Sequence, residues 1–117
     1  MSAEKQMVRE RFRTAVFRRA KYRCQGPGCK VVATAETAET ILDAHHVTPR
    51  ELMPGGGYVA ENGVCLCKAD CHEKAEQNLR GGDWPGFASD DLYKIIGSNR
   101  KKAEAASKRL IKTSPTM

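Results

Sequence analysis

Two short stretches, Asp43-Ala44-His45-His46 and Cys67-Lys68-Ala69-Asp70-Cys71-His72, decide how this chain is read. They hold all three histidines of a 117-residue sequence and two of its five cysteines. Two further cysteines, Cys24 and Cys29, form a close pair upstream. Residue types that ligate metals are concentrated here instead of scattered, so metal chemistry is the first expectation. Four thiolates in two close pairs are the usual makings of a tetrahedral structural zinc site, with Cys24, Cys29, Cys67 and Cys71 as ligands. Gln25-Gly26-Pro27-Gly28 lies between the first two and permits a tight knuckle. Cys65 has no partner at such spacing and reads as a small core residue.

Outward from these stretches, the element pattern is mixed. Ile41 to Val47 reads as a strand ended by Thr48-Pro49. Side chains alternate across a strand, so Asp43 and His45 share one face and His46 takes the other. Arg50 to Gly57 reads as a loop, Tyr58-Val59 as the start of the return strand, and Asn62-Gly63 as a turn. Val64-Cys65-Leu66 is a short apolar strand. Asp70 is placed to cap a helix beginning near Cys71, on which His72 and Glu76 share a face. Gly81-Gly82 ends that helix, and the rings of Trp84 and Phe87 are expected to cover the core. Ser89-Asp90-Asp91 opens another helix; Gly97-Ser98-Asn99 breaks it and caps a basic helix over 100–111. At the other end, Val8, Phe12, Ala15, Val16 and Ala20 recur at helical steps from Met7, Tyr22 to Gln25 reads as extended, and residues 31–40 as loop or a weak helical turn. Residues 1–6 and 113–117 read as frayed ends.

The net charge of +6 is unevenly distributed. Residues 1–30 hold nine Lys/Arg against two Asp/Glu, residues 31–93 four against eleven, and residues 94–117 seven against one. Basic arms suit a polyanion, nucleic acid above all, and an acidic centre suits a divalent cation. Arg9, Arg11, Arg13, Arg18, Arg19 and Arg50 are the candidate phosphate contacts, because the guanidinium fork matches phosphate oxygens. The N-terminus has no apolar leader core and no run is long enough to span a membrane, so a cytoplasmic setting with no signal peptide and reduced cysteines is expected.

A strand with His-His, a loop, an Asn, a second strand and a helix opening with His resembles the HNH endonuclease family, the ββα-metal nucleases. The residues that carry the resemblance are Asp43 to Pro49, Gly55-Gly56-Gly57, Asn62-Gly63-Val64 and Leu66-Cys67 leading to Cys71-His72, with Cys24 and Cys29 matching members that carry a structural zinc. It spans about residues 18–80. It implies a small α+β fold: a ββα-metal core with a zinc knuckle and flanking basic helices, in one nuclease domain over 1–117. Within it, 1–23 is the basic N-terminal helix, 24–80 the zinc-stabilised core and 87–112 the C-terminal helices. By position, His45 and His72 become ligands of a catalytic divalent cation (Mg²⁺, Mn²⁺ or another transition metal), His46 the general base, and Asn62 the residue of the catalytic motif that holds the loop. Glu76 is a further candidate ligand, and Asp43 a ligand or an outer partner of one. The spacing of Cys67 and Cys71 is one residue longer than the family's usual Cys-x-x-Cys before the last His. The implied activity is metal-dependent hydrolysis of DNA. A non-catalytic zinc-stabilised nucleic-acid-binding module is the alternative, and a toxin-type nuclease domain ranks lower because no immunity or delivery segment is visible.

Overall fold

The computed structural model describes residues 3–113. They form a small α+β domain with five helices and one two-stranded antiparallel sheet. Helix α1 spans Ala3–Arg19, the single-turn α2 Ala38–Ile41, β1 Leu42–His46, β2 Gly63–Cys67, α3 Cys71–Leu79, α4 Ser89–Ile95 and α5 Arg100–Thr113. The expected frayed ends reach only partly into this range: residues 1–2 and 114–117 lie outside it, while residues 3–6 belong to α1. Among the described residues, no helix is long and apolar enough to cross a membrane.

The strands pair so that Leu42 faces Cys67, Ala44 faces Cys65 and His46 faces Gly63. Every residue of β2 is buried, because α1 lies across both strands while α3 and α4 pack against β2. Val16, Leu42, Val64, Cys65, Leu66 and Leu92 are at most 1% exposed and form the centre of the core. In α1 the buried face is Val8, Phe12, Val16 and Phe17; Ala15, expected on it, is exposed. The arc is set by where the ribbon crosses the helix, and Phe17 offers more apolar surface to it than Ala15.

The connection between the strands, residues 47–62, contains three short 3₁₀ turns, Arg50–Leu52, Pro54–Gly57 and Ala60–Asn62, and α5 packs on the last two. Asn62 pins it. Its Oδ1 accepts from the Thr48 amide at 2.9 Å, and its Nδ2 donates to the carbonyls of Thr48 at 3.0 Å and Gly57 at 3.3 Å. Gly57 has φ +69° and sits where a Cβ would lie 2.7 Å from that same Nδ2. A side chain there would cost strain and displace the brace.

Several local expectations are corrected. The return strand begins at Gly63, not at Tyr58-Val59, which lie in the connection. Asn62-Gly63 is not a hairpin turn: Gly63 is extended, with φ −121°, and its lack of a side chain makes room for α1, since a Cβ would lie 2.3 Å from Val16 Cγ2. Lys21 and Tyr22 have φ +56° and +59°, so the chain turns sharply there before Arg23 bridges to Val32. Asp70 makes no side-chain cap to α3; its carboxylate meets Lys74 at 3.3 Å. Phe87 is buried, but Trp84 stays 43% exposed, outside the core.

Candidate metal centres

Two clusters of metal-ligating atoms lie at either side of the start of α3. In the first, the Sγ atoms of Cys24, Cys29, Cys67 and Cys71 are all within 4.8 Å of one another. None of the five cysteines is in a disulfide. Cys24 and Cys29 flank a turn that is stitched to β2, since the Gln25 amide donates to the Cys65 carbonyl at 2.7 Å and the Cys65 amide to Gln25 Oε1 at 3.0 Å. Cys67 closes β2 and Cys71 opens α3. Backbone amides of Gly26 and Cys67 donate to Cys24 Sγ at 3.4 and 3.2 Å, and that of Cys71 to Cys67 Sγ at 3.4 Å. Such N–H donors stabilise a sulfur that carries negative charge.

Two of the thiols are set against ionising. Burial pushes Cys24 up to about 11. Cys71 rises further, first through burial and then through its contacts with Cys24. Cys67 is lowered: burial acts to raise it, but hydrogen bonds, first from the amides of Cys71 and Asp70, outweigh that. A divalent cation among four sulfurs reverses this balance. Gly26 completes the cradle, because a Cβ there would lie 2.5 Å from Cys71 Sγ. The four cysteines form a cluster able to hold a structural metal ion such as zinc.

The second cluster is His45, His72 and Glu76, again with one donor atom from each within 4.8 Å of the others. His45 comes from β1 and is 2% exposed; His72 and Glu76 stand one turn apart on α3. Glu76 Oε1 is 3.2 Å from His72 Nε2 and 3.5 Å from His45 Nδ1. Asp43 stands behind His72, not beside these donors: its Oδ2 meets His72 Nδ1 at 2.6 Å, while Oδ1 faces Lys68 at 3.4 Å. This leaves Nε2 of His72 as the nitrogen pointing to the cluster, the arrangement in which a carboxylate fixes a ligand's tautomer. Burial, and then the neighbouring His72 and His46, push His45 down to about 3, so its ring is neutral and able to ligate.

His46 takes the opposite face of β1. Its ring stacks on Phe12 at 4.5 Å and meets the edge of Tyr58 at 4.7 Å. Its Nε2 and that of His45 are buried without a hydrogen-bond partner. Burial, then the charges of Arg50 and Arg9, push His46 down to about 4. Although the two histidines point apart, both border one cleft of about 450 Å³, together with His72, Glu76, Arg50 and Arg80. A two-stranded ribbon has no third strand to separate its faces at the end of β1.

The candidate arginines divide. Arg9 lies over the Tyr58 ring at 5.6 Å and Arg50 donates to Tyr58 Oη at 2.9 Å, so both flank His46. Arg11 and Arg18 are exposed. Arg13 pairs with Glu39 at 3.0 Å. Arg19 departs from the expected role: its guanidinium donates to the carbonyls of Ala60, at 2.7 Å, and Gly63, tying α1 to the start of β2. Asn62 is 0% exposed and spends its amide on the connecting loop. Tyr93 of α4 supports it, with its Oη donating to Asn62 Oδ1 at 2.8 Å and lying 2.7 Å from Thr48 Oγ1. Tyr58, Tyr93 and Gln25 were not singled out from sequence, where each looks like an ordinary core or loop residue.

No family model, no curated protein and no solved structure matches this chain. The site therefore has to be interpreted from its own chemistry. Two imidazoles and a carboxylate converge on one point, and a third imidazole and two guanidinium groups border the same cleft. His45, His72 and Glu76 are a donor set that could hold a metal ion.

Proposed function

We propose that this chain is a metal-dependent nuclease of the HNH type that hydrolyses phosphodiester bonds in DNA, on a ββα-metal core formed by β1, β2 and α3. The observation that carries the proposal is the convergence of His45, His72 and Glu76 in a cleft that also takes in His46 and Arg50. Glu76 Oε1 lies within reach of both rings, and a cation among the three groups would draw on the lone pairs of all of them. Bound there, a divalent cation supplies Lewis acidity toward the phosphate and the leaving oxygen.

The chain's own residues supply the remainder. Arg50 and Arg9 flank His46 and offer donors to phosphate oxygens. His46, neutral because it is buried beside two guanidinium groups, accepts the proton of the attacking water. An incoming phosphate offsets those two positive charges, which brings the imidazole's proton affinity back toward its ordinary range as substrate arrives. Asp43 accepts from His72 Nδ1 and holds that ring in one tautomer. Asn62 acts at one remove, as a positioning residue that keeps the connection between His46 and β2 in shape. The basic stretches at 1–30 and 94–117 favour a polyanionic substrate.

The test is incubation with supercoiled plasmid, with Mg²⁺, Mn²⁺ or Ni²⁺ and without added ion. Nicked or linear product that depends on the ion is expected. DNA that is bound but never cut would leave the non-catalytic binding module, and neither binding nor cutting would overturn both readings.

A further inference from the structure

A second concavity, of about 420 Å³, lies between α3 and α4 and borders the histidine cleft, sharing His45 and Leu79 with it. The two differ in charge. The cleft is lined by Arg50 and Arg80 together with Glu51 and Glu76, whereas the charged residues lining this groove are aspartates, with Lys74 Nζ lying over the Trp84 and Phe87 rings at 4.8 and 5.7 Å. Its polar groups include the carboxylates of Asp83 and Asp91, neither in a salt bridge among the described residues.

One wall is Trp84, which is unusual for a residue 43% exposed in being firmly held. Its amide donates to Asn78 Oδ1 at 2.7 Å, Asn78 Nδ2 donates to its carbonyl at 2.9 Å, and its indole Nε1 donates to Gln77 Oε1 at 2.6 Å. Two hydrogen bonds hold the Trp84 backbone and one holds its indole, which the core does not bury. Preset aromatic walls beside unpaired acceptors suit a flat, uncharged group that carries hydrogen-bond donors. Phe87 and Leu92 add apolar lining.

We propose that this groove receives an unpaired nucleobase bearing an exocyclic amino group, adjacent to the phosphate in the histidine cleft; the proposal rests on the nuclease reading above. The base packs against Trp84, and Asp91 or Asp83 accepts from its amino group. The enzyme would then prefer substrate with a displaced or single-stranded cytosine, adenine or guanine over thymine next to the cut.

Trp84 is the only tryptophan of the chain, so its fluorescence reports on the groove directly. The probes are oligo(dC), oligo(dA), oligo(dT), an abasic oligomer and oligolysine, without added divalent ion, with DNA binding followed separately by anisotropy. Oligo(dC) and oligo(dA) should quench Trp84 and bind about tenfold more tightly than the abasic oligomer, with oligo(dT) weaker than either. Asp83→Asn combined with Asp91→Asn should shrink the ratio of oligo(dC) to oligo(dT) affinity, whatever it does to binding of the abasic oligomer. Equal quenching by oligo(dC) and the abasic oligomer would overturn the base pocket, and plasmid cleavage by the same protein would leave the nuclease reading standing. Quenching by oligo(dC) without plasmid cleavage at any ion would keep the pocket and remove the nuclease. Quenching by oligolysine alone would assign the groove to a basic peptide and overturn the proposal.

Discussion

Gly26 shows how closely single residues are tied to the cysteine cluster. A Cβ would stand 2.5 Å from Cys71 Sγ and 3.4 Å from Cys24 Sγ, so Gly26→Ala must push one ligand aside. We expect that variant to lose zinc more readily to a chelator and to be about 1–3 kcal/mol less stable, the usual cost of forced overpacking. Elemental analysis and chemical denaturation check this; unchanged zinc retention would mean the four sulfurs do not close round an ion. The buried histidines give a pH signature in the ion-free protein. An unfolded histidine titrates near 6.5, whereas His45 and His46 in the fold are held down at about 3 and about 4. Between those values the unfolded chain binds more protons, so stability must fall as pH drops from 6.5 toward 4. Denaturation midpoints across that window should show the decline, and His46→Phe should make it shallower. A flat profile would mean both rings are already solvated.

Helix α3 joins the two clusters, because Cys71 and His72 are consecutive residues at its start. One side chain belongs to the sulfur site and the next to the histidine cleft. Whatever holds Cys71 also fixes the position of His72 and, one turn later, Glu76. Cys71→Ser should therefore raise the divalent-ion concentration needed for half-maximal cleavage by about tenfold or more, on the scale of removing a ligand's supporting partner. An unchanged ion requirement in a folded, zinc-depleted variant would separate the centres. The ribbon and this helix were readable in sequence because apolar alternation, His-His and the cysteine pairs are local signals. The course of residues 47–62 was not. Asn62-Gly63 has the composition of a hairpin turn, yet Gly63 serves close packing against Val16 and Phe12, a tertiary requirement with no local signature. Tyr93 is likewise recognisable only once α4 is folded back on Asn62.

At the scale of the whole molecule, the sequence shows two basic flanks around an acidic centre but not which arginines are free. Arg19 is turned inward onto backbone carbonyls and Arg13 is paired with Glu39, distinctions that depend on what α1 packs against. Arg9, Arg11 and Arg18 are the better phosphate candidates on that helix. Neutralising these three should lower the slope of log affinity against log salt by roughly 0.9 for each phosphate that no longer has an arginine partner. Neutralising Arg19 should instead destabilise the fold. An unchanged slope in the triple variant would assign DNA affinity elsewhere, with α5 next to be tested. If His46 activates water beside an ion held by His45, His72 and Glu76, the cleavage rate of His46→Ala at saturating Mn²⁺, measured with its zinc content and DNA affinity, should fall by about 10²–10⁴-fold, the usual contribution of a positioned general base, with zinc and DNA binding retained. Cleavage at a near wild-type rate would remove His46 from the reaction.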